Sequence, residues 1–236
     1  DCLGVPNGDA VEDCFGECAG DALEDECGVC EGDNLPNTGT PSTSIGLVEG
    51  DSFYLGQNPS STTNNAQSNL SVGITALDAI TTGDRNMAIG HNALTSNNTG
   101  QNNVAIGFRS QEANQDGEQN VSLGVFTLLK NNGGDWNTAI GMQALHENVT
   151  GDGNTAVGSA ALRNNTASQN TAVGLQSMMN NTSGAANSAL GYMSLEDNTT
   201  GARNTSVGAF NLDKNTTGSD NVAVGYQALN TAETSN

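Results

Sequence analysis

A glycine preceded by Leu, Val or Ile recurs through most of this chain at intervals of 17 residues, with one interval of 16. Such repetition at a fixed period indicates a repeat architecture, and 17 residues are too few for a helix pair or a propeller blade. The sequence therefore predicts an all-β fold, a narrow parallel β-solenoid (β-roll) of about eleven 17-residue coils. The eleven glycines are Gly56, Gly73, Gly90, Gly107, Gly124, Gly141, Gly158, Gly174, Gly191, Gly208 and Gly225.

Other positions of the repeat are also restricted. Ala or Ser stands two residues before the glycine in ten repeats, Leu or Met usually stands four residues after it, and a second glycine often follows at ten. This pattern predicts a short strand that ends at the glycine, a segment that carries the leucine, and a polar loop that turns the chain back. Coils stacked about 4.8 Å apart would form a rod on the order of 50 Å long.

Asparagine stands four residues before the glycine in ten of the eleven repeats. An asparagine there either starts the strand from a turn or forms an amide ladder from coil to coil, as stacked amides do in cross-β structures. We favour the ladder because the position is nearly invariant. We assign it to Asn86, Asn103, Asn137, Asn154, Asn170, Asn187 and Asn221; Asn69, Asn120 and Asn204 share the column.

Asn-x-Ser/Thr sequences are a second recurring signal, and ten occur in the chain. Many of them arise by chance in a chain so rich in these residues. Those at Asn69, Asn120 and Asn204 lie in the ladder column, and the others mostly share the predicted outer loop, where glycans can be attached. We expect glycosylation at Asn97, Asn148, Asn164, Asn181, Asn198 and Asn215.

Residues 1–33 have a different composition, with 11 acidic residues, no basic residue and all five cysteines. Cysteines this dense in an acidic segment indicate disulfides and an oxidising compartment, and a zinc site at the CxxC of 27–30 is the less favoured alternative. In a repeated C-x-G-x-C frame, Pro6 stands where the first copy should have its second cysteine. We expect disulfides among four cysteines and an unpaired or intermolecular fifth: Cys14, Cys18, Cys27 and Cys30, with Cys2 left over.

The phrases NNVAIG (102–107) and NTAIG (137–141) resemble the head repeats of trimeric autotransporter adhesins and related fibre proteins, over about residues 50–230. The resemblance implies a left-handed parallel β-roll, often trimeric, on an extracellular fibre. The period of 17 is longer than the repeat of that family. The fold is therefore expected to transfer better than the biological role.

The N-terminal segment distantly resembles the Cys/Asp-rich thrombospondin type 3 repeats. The resemblance implies calcium held by aspartate side chains and backbone carbonyls, with disulfides as staples. A solvated acidic arm with disulfides and no tightly bound metal is the alternative. The candidate calcium ligands are Asp9, Asp13, Asp21, Asp25 and Asp33.

The charge balance and the titratable residues exclude other classes of function. Six basic residues against 26 acidic ones argue against nucleic acid and against anionic membranes, and no stretch is long and apolar enough to span a bilayer. His91 and His146 occupy different repeat positions, and no nucleophile recurs beside a base. We therefore expect no enzymatic activity.

The predicted organisation is a Cys/Asp-rich segment at 1–33, a linker or extended arm at 34–50, and a solenoid at 51–236. We predict a structural subunit of an extracellular fibre or filament at the cell surface. It would assemble with itself, head to tail or as a trimer, through the solenoid ends and the acidic segment 1–33, which we call the N-terminal arm. The alternative is an adhesin or tail-fibre head that binds a cell surface or glycan.

Overall fold

The computed structural model describes residues 47–49, 51–56 and 66–230. The residues predicted to form disulfides and calcium sites lie outside these ranges, as does most of the predicted linker. They are Cys2, Cys14, Cys18, Cys27, Cys30, Asp9, Asp13, Asp21, Asp25 and Asp33.

Twelve strands form one sheet in which sequence order equals spatial order. Strands β2 to β12 are parallel, and consecutive strands pair at equivalent repeat positions. The predicted all-β parallel solenoid is therefore confirmed, with about ten turns. The strands are β1 (Leu47–Glu49), β2 (Ser52–Gly56), β3 (Leu70–Gly73), β4 (Met87–Ile89), β5 (Val104–Ile106), β6 (Val121–Leu123), β7 (Thr138–Ile140), β8 (Thr155–Val157), β9 (Thr171–Val173), β10 (Ser188–Leu190), β11 (Thr205–Val207) and β12 (Val222–Val224).

The first strand, β1, is antiparallel and lies inside the range predicted as linker. Leu47 pairs with Tyr54 and Glu49 pairs with Ser52, so β1 and β2 form a tight hairpin at one end of the sheet. Asp51 makes the turn with a φ of 61°. The sheet thus begins before residue 51. The sequence did not predict β1, because three residues are too few to give a periodic signal.

The repeated glycine is required by the close stacking of coils. Gly158 has a φ of 135°, a conformation that L side chains rarely adopt. A Cβ atom there would stand 2.3 Å from the carbonyl oxygen of Gly174 in the next coil. Both the backbone angle and the lack of space therefore exclude other residues.

Each coil also contains left-handed residues that are not glycine. In the coil after Gly124, Phe126, Leu128 and Trp136 have φ values of 57°, 46° and 56°. Such a conformation costs an ordinary residue roughly 1–2 kcal/mol. Hydrogen bonds between coils offset this cost: the Leu128 amide, for example, donates to the Ala144 carbonyl at 3.0 Å.

The interior of a coil is narrow and filled by small side chains and one leucine. In one coil these are Ala156, Ala161 and Leu162, none of which is exposed. The hydrophobic core divides into two clusters, one ending at Ala105 and the other beginning at Leu128. Four buried polar side chains occupy the interior between the clusters: Ser110, Gln111, Ser122 and Thr127.

Candidate functional site: the asparagine ladders and the outer sheet face

The asparagines four residues before each glycine form a continuous buried ladder. The Oδ1 atom of each accepts a hydrogen bond from the main-chain N–H of the next, as from Asn120 to Asn103 at 3.0 Å and from Asn137 to Asn120 at 2.9 Å. From Asn69 to Asn204 each Nδ2 also donates to a loop carbonyl of its own coil, as Asn120 does to Gly134 at 2.8 Å. Each side chain therefore fixes both the next strand and its own loop. The ladder comprises Asn69, Asn86, Asn103, Asn120, Asn137, Asn154, Asn170, Asn187, Asn204 and Asn221.

A second asparagine column, seven residues after the glycine, is also buried. Its Nδ2 groups donate to the Oδ1 of the preceding coil at 2.6–3.0 Å, as Asn114 does to Asn97. The members are Asn97, Asn114, Asn131, Asn148, Asn165, Asn181, Asn198 and Asn215, all with no exposed surface.

This second ladder overturns the expectation that the glycosylation candidates lie on an outer loop. The folded chain has no room for a glycan at Asn97, Asn148, Asn181, Asn198 or Asn215, whose amides are buried and hydrogen-bonded. Asn164 alone among the six is partly exposed. Asn114, Asn131 and Asn165 occupy the column without a glycosylation sequence, and this could have shown that asparagine itself is what the position requires.

The 16-residue interval interrupts the second ladder. Asn165 turns its Nδ2 to the carbonyl of Ala167 at 2.7 Å, and the buried Oδ1 of Asn148 has no hydrogen-bond partner. The first ladder continues, since the Asn170 N–H still reaches Asn154 Oδ1 at 3.0 Å. The residue that this repeat lacks therefore lies beside the second asparagine column, and its absence removes the side-chain hydrogen bond between Asn165 and Asn148.

Some acidic side chains serve as acceptors for the backbone. Asp135 Oδ1 accepts the Glu118 N–H at 2.7 Å, and Asp152 Oδ1 accepts the Asp135 N–H at 2.9 Å. Ser168 continues this column by accepting the Asp152 N–H. Within the described ranges no three His, Cys, Asp or Glu side chains are grouped so that they could hold a metal ion.

The two histidines have separate partners. His91 stacks on Phe108 with ring centroids 5.6 Å apart, and His146 Nδ1 lies 2.8 Å from Glu147. Lys130 also bonds Glu147, at 2.6 Å, and this bond is the main reason that the pKa of Glu147 is lowered. Burial, followed by the charge of Asp197, raises the pKa of Glu196.

The outer face of the sheet is uncharged and exposes apolar side chains. Two columns point outward from the strands, and from β3 to β12 they contain no Asp, Glu, Lys or Arg. Leu123, Leu190 and Val224 are 46%, 50% and 69% exposed. We call these two columns of β3 to β12 the outer face: Leu70, Met87, Val104, Val121, Thr138, Thr155, Thr171, Ser188, Thr205 and Val222, with Val72, Ile89, Ile106, Leu123, Ile140, Val157, Val173, Leu190, Val207 and Val224.

Aromatic rings border this face beyond the glycine corner. Phe108 meets Phe126 edge to face at 5.4 Å. Phe210 meets Tyr192 at 5.0 Å and Tyr226 at 6.2 Å in the same manner. The rings add apolar surface beside the outer face.

No family model, no curated protein and no solved structure matches this chain. The parallel solenoid with 17-residue coils is compatible with β-roll repeats, but membership of the trimeric autotransporter adhesins stays a prediction. No helix among the described residues is long and apolar enough to cross a membrane.

Proposed function

We propose that this protein is a structural subunit of an extracellular fibre and that it assembles with copies of itself. The observation that carries the proposal is the edge of β12, which is unpaired within the described residues. In the preceding coil the Thr205 N–H donates to the Asn221 carbonyl, and the Val207 carbonyl accepts from Gly225, both at 2.8 Å. The equivalent groups of Val222 and Val224 meet no partner among the described residues.

The side chains around this edge are apolar. Val222, Val224 and Tyr226 are 69–70% exposed, and Leu229, which is buried in earlier coils at its repeat position, is 50% exposed. An unpaired strand edge is a template for pairing with another chain. At the opposite end of the sheet the hairpin strand β1 covers β2, so a head-to-tail contact would join β12 of one copy to β1 of the next.

The outer face supports side-by-side association. Ten strands at about 4.8 Å and a width of about four residues give roughly 650 Å² per copy. A pair would bury on the order of 1,300 Å², which lies at the lower end of stable interfaces. Because the chain carries a net charge of −20, an uncharged face is where two copies repel each other least.

The N-terminal arm and the glycans complete the proposal. The arm, with its unpaired Cys2 and calcium bound by the aspartates, would reinforce the contact between copies outside the cell. Glycosylation is proposed only at Asn164, which is partly exposed. Intact-mass measurement of the native material would detect it, and an unmodified peptide spanning 164–174 would remove it.

The end-to-end contact is tested by Val222→Pro, with Val222→Thr as the control. Proline removes the free edge N–H and breaks no hydrogen bond of the described chain, whereas threonine keeps that N–H. Light scattering and electron microscopy at high concentration, with calcium and without reductant, should show filaments for the wild type and the threonine variant. The proline variant should form none, and a wild type that stays monomeric would refute the proposal.

The lateral contact is tested separately by Thr171→Lys on the outer face and by Thr200→Lys on an exposed loop. Charge on the outer face should separate laterally paired chains and leave end-to-end filaments intact. The loop variant should behave as the wild type. Equal behaviour of the two variants would exclude the outer face as an interface.

The exposed rings favour a second candidate function, a glycan-binding head. Tyr192 and Tyr226 are 41% and 69% exposed, and tyrosine side chains combine apolar area with a polar group. A glycan array with the wild type and with Tyr226→Ala would identify this function. Binding that the alanine variant retains would exclude these rings as the site.

A further inference from the structure

We propose that Asn132 is a site of spontaneous modification that converts it to isoaspartate. Asn132 is followed by Gly133, the single Asn-Gly pair of the described residues. Both residues are exposed. Asparagine is a thermolabile residue, and a following glycine has no Cβ to obstruct attack by its own backbone nitrogen.

In the first step the Gly133 nitrogen attacks Cγ of Asn132. The new N–Cγ bond closes a five-membered succinimide, the Cγ–Nδ2 bond breaks, and ammonia leaves with the proton of the Gly133 amide. The Asn132 side chain makes no hydrogen bond to a described residue that would hold its Cγ away from the Gly133 nitrogen. The Gly133 N–H donates to the Val149 carbonyl at 3.3 Å. The Asn132 N–H donates to the same oxygen at 2.9 Å, so the bond of the attacking nitrogen is the longer of the two.

In the second step water attacks one of the two carbonyl carbons of the succinimide, and the fold selects which one. The Asn132 main-chain carbonyl oxygen accepts three N–H groups of the preceding coil, from Gln115 at 3.0 Å and from Asp116 and Gly117 at 3.3 Å. Converging N–H donors stabilise the oxyanion that forms when water adds to a carbonyl. Attack at this carbon breaks its bond to the Gly133 nitrogen and leaves the chain joined through Cγ, which is isoaspartate.

The product fits the same three donors. In isoaspartate the former main-chain carbonyl is a free carboxylate, and successive backbone N–H groups form an anion-binding concavity. The fold therefore favours isoaspartate over aspartate more strongly than an unfolded peptide does. The overall change consumes one water, releases one ammonia and adds one negative charge to the exposed edge.

The repeat supplies an internal control. Asn98 occupies the equivalent position two repeats earlier, is exposed, and its carbonyl accepts three N–H groups from Thr81, Thr82 and Gly83. It differs in being followed by Thr99 and in accepting a side-chain hydrogen bond from the Thr81 hydroxyl. Asn98 should therefore stay unmodified under conditions that convert Asn132.

The test is incubation of the folded full chain at mildly alkaline pH, followed by peptide mapping and enzymatic methylation specific for isoaspartate. The peptide with Asn132 should gain the mass of an amide-to-acid exchange and accept the methyl group. Gly133→Thr copies the Asn98 context and should abolish both signals. T81Q combined with T99G copies the Asn132 context and should transfer them to Asn98. Peptides from Asn7–Gly8, outside the described residues, are scored separately.

Two results would overturn the proposal. One is an Asn132 that stays intact in the folded chain but converts in the urea-unfolded chain, which would show that the fold protects it. The other is conversion at equal rates in the wild type and in Gly133→Thr. An isoaspartate fraction no higher in the folded chain than in the unfolded one would refute the role of the three donors.

Discussion

Removing one side chain of the first ladder should leave a main-chain donor unpaired, which makes Asn137→Ala a direct test of how the solenoid is held together. Asn137 Oδ1 accepts the Asn154 N–H at 3.0 Å, and its Nδ2 donates to Gly151 at 2.8 Å. The Gly151 carbonyl keeps a second donor, Asn148, at 2.9 Å. The buried Asn154 N–H keeps none.

The expected cost follows from these partners. An orphaned buried N–H costs about 1–3 kcal/mol and a lost hydrogen bond about 0.5–1.5 kcal/mol, which together give roughly 1.5–4.5 kcal/mol. Asn148→Ala is the matched control, because Asn148 lies in the same coil and is equally buried. That change strands Asn131 Oδ1 but removes the Asn148 Oδ1 that already lacks a partner. It should therefore cost at least about 1 kcal/mol less.

Two measurements check this prediction. Denaturant unfolding followed by circular dichroism gives the free energy of unfolding of each variant. Because stacked repeats can open locally, amide hydrogen exchange gives the sharper result: the Asn154 N–H should lose protection in Asn137→Ala and keep it in Asn148→Ala. Protection of the Asn154 amide in both variants, or a greater cost for Asn148→Ala, would refute the reasoning.

Three further changes test other features of the coil. Gly158→Ala should cost at least about 3 kcal/mol of unfolding free energy, because φ is 135° and a neighbouring carbonyl fills the space that the new Cβ would need. Gly153→Ala is the control, because a Cβ there would meet no atom within 4 Å, and it should cost about 1 kcal/mol or less. Glu196→Gln should stabilise the chain at pH 7. The raised pKa of Glu196 means that the folded chain loses stability as the pH rises through that pKa and the carboxyl group becomes charged, which a glutamine avoids. The gain should therefore vanish in acid, and a pH-independent effect would contradict this. Gln111→Leu, which removes a buried unpaired Oε1 and joins the two core clusters, should raise the thermal midpoint; a lower midpoint would show that the polar layer is needed.

The period of 17, the glycine corner and the inward alanine and leucine were all predictable from the sequence. Each repeats because stacking imposes the same steric condition on every coil, as the contact between Gly158 and Gly174 illustrates. The first asparagine column was visible for the same reason. Its main bond was not: Oδ1 binds the next main-chain N–H rather than chiefly the next side chain.

The tertiary structure alone decided which polar residues are inside. Asn148 and Asn198 look like loop asparagines with glycosylation sequences, yet both are buried, because the polar loop folds back over the narrow core. The left-handed φ of Leu128 and Trp136 left no mark in residue type, since hydrogen bonds to neighbouring coils offset the conformational cost. Local sequence thus determines what a coil must contain, whereas burial and partner choice depend on the coils above and below it.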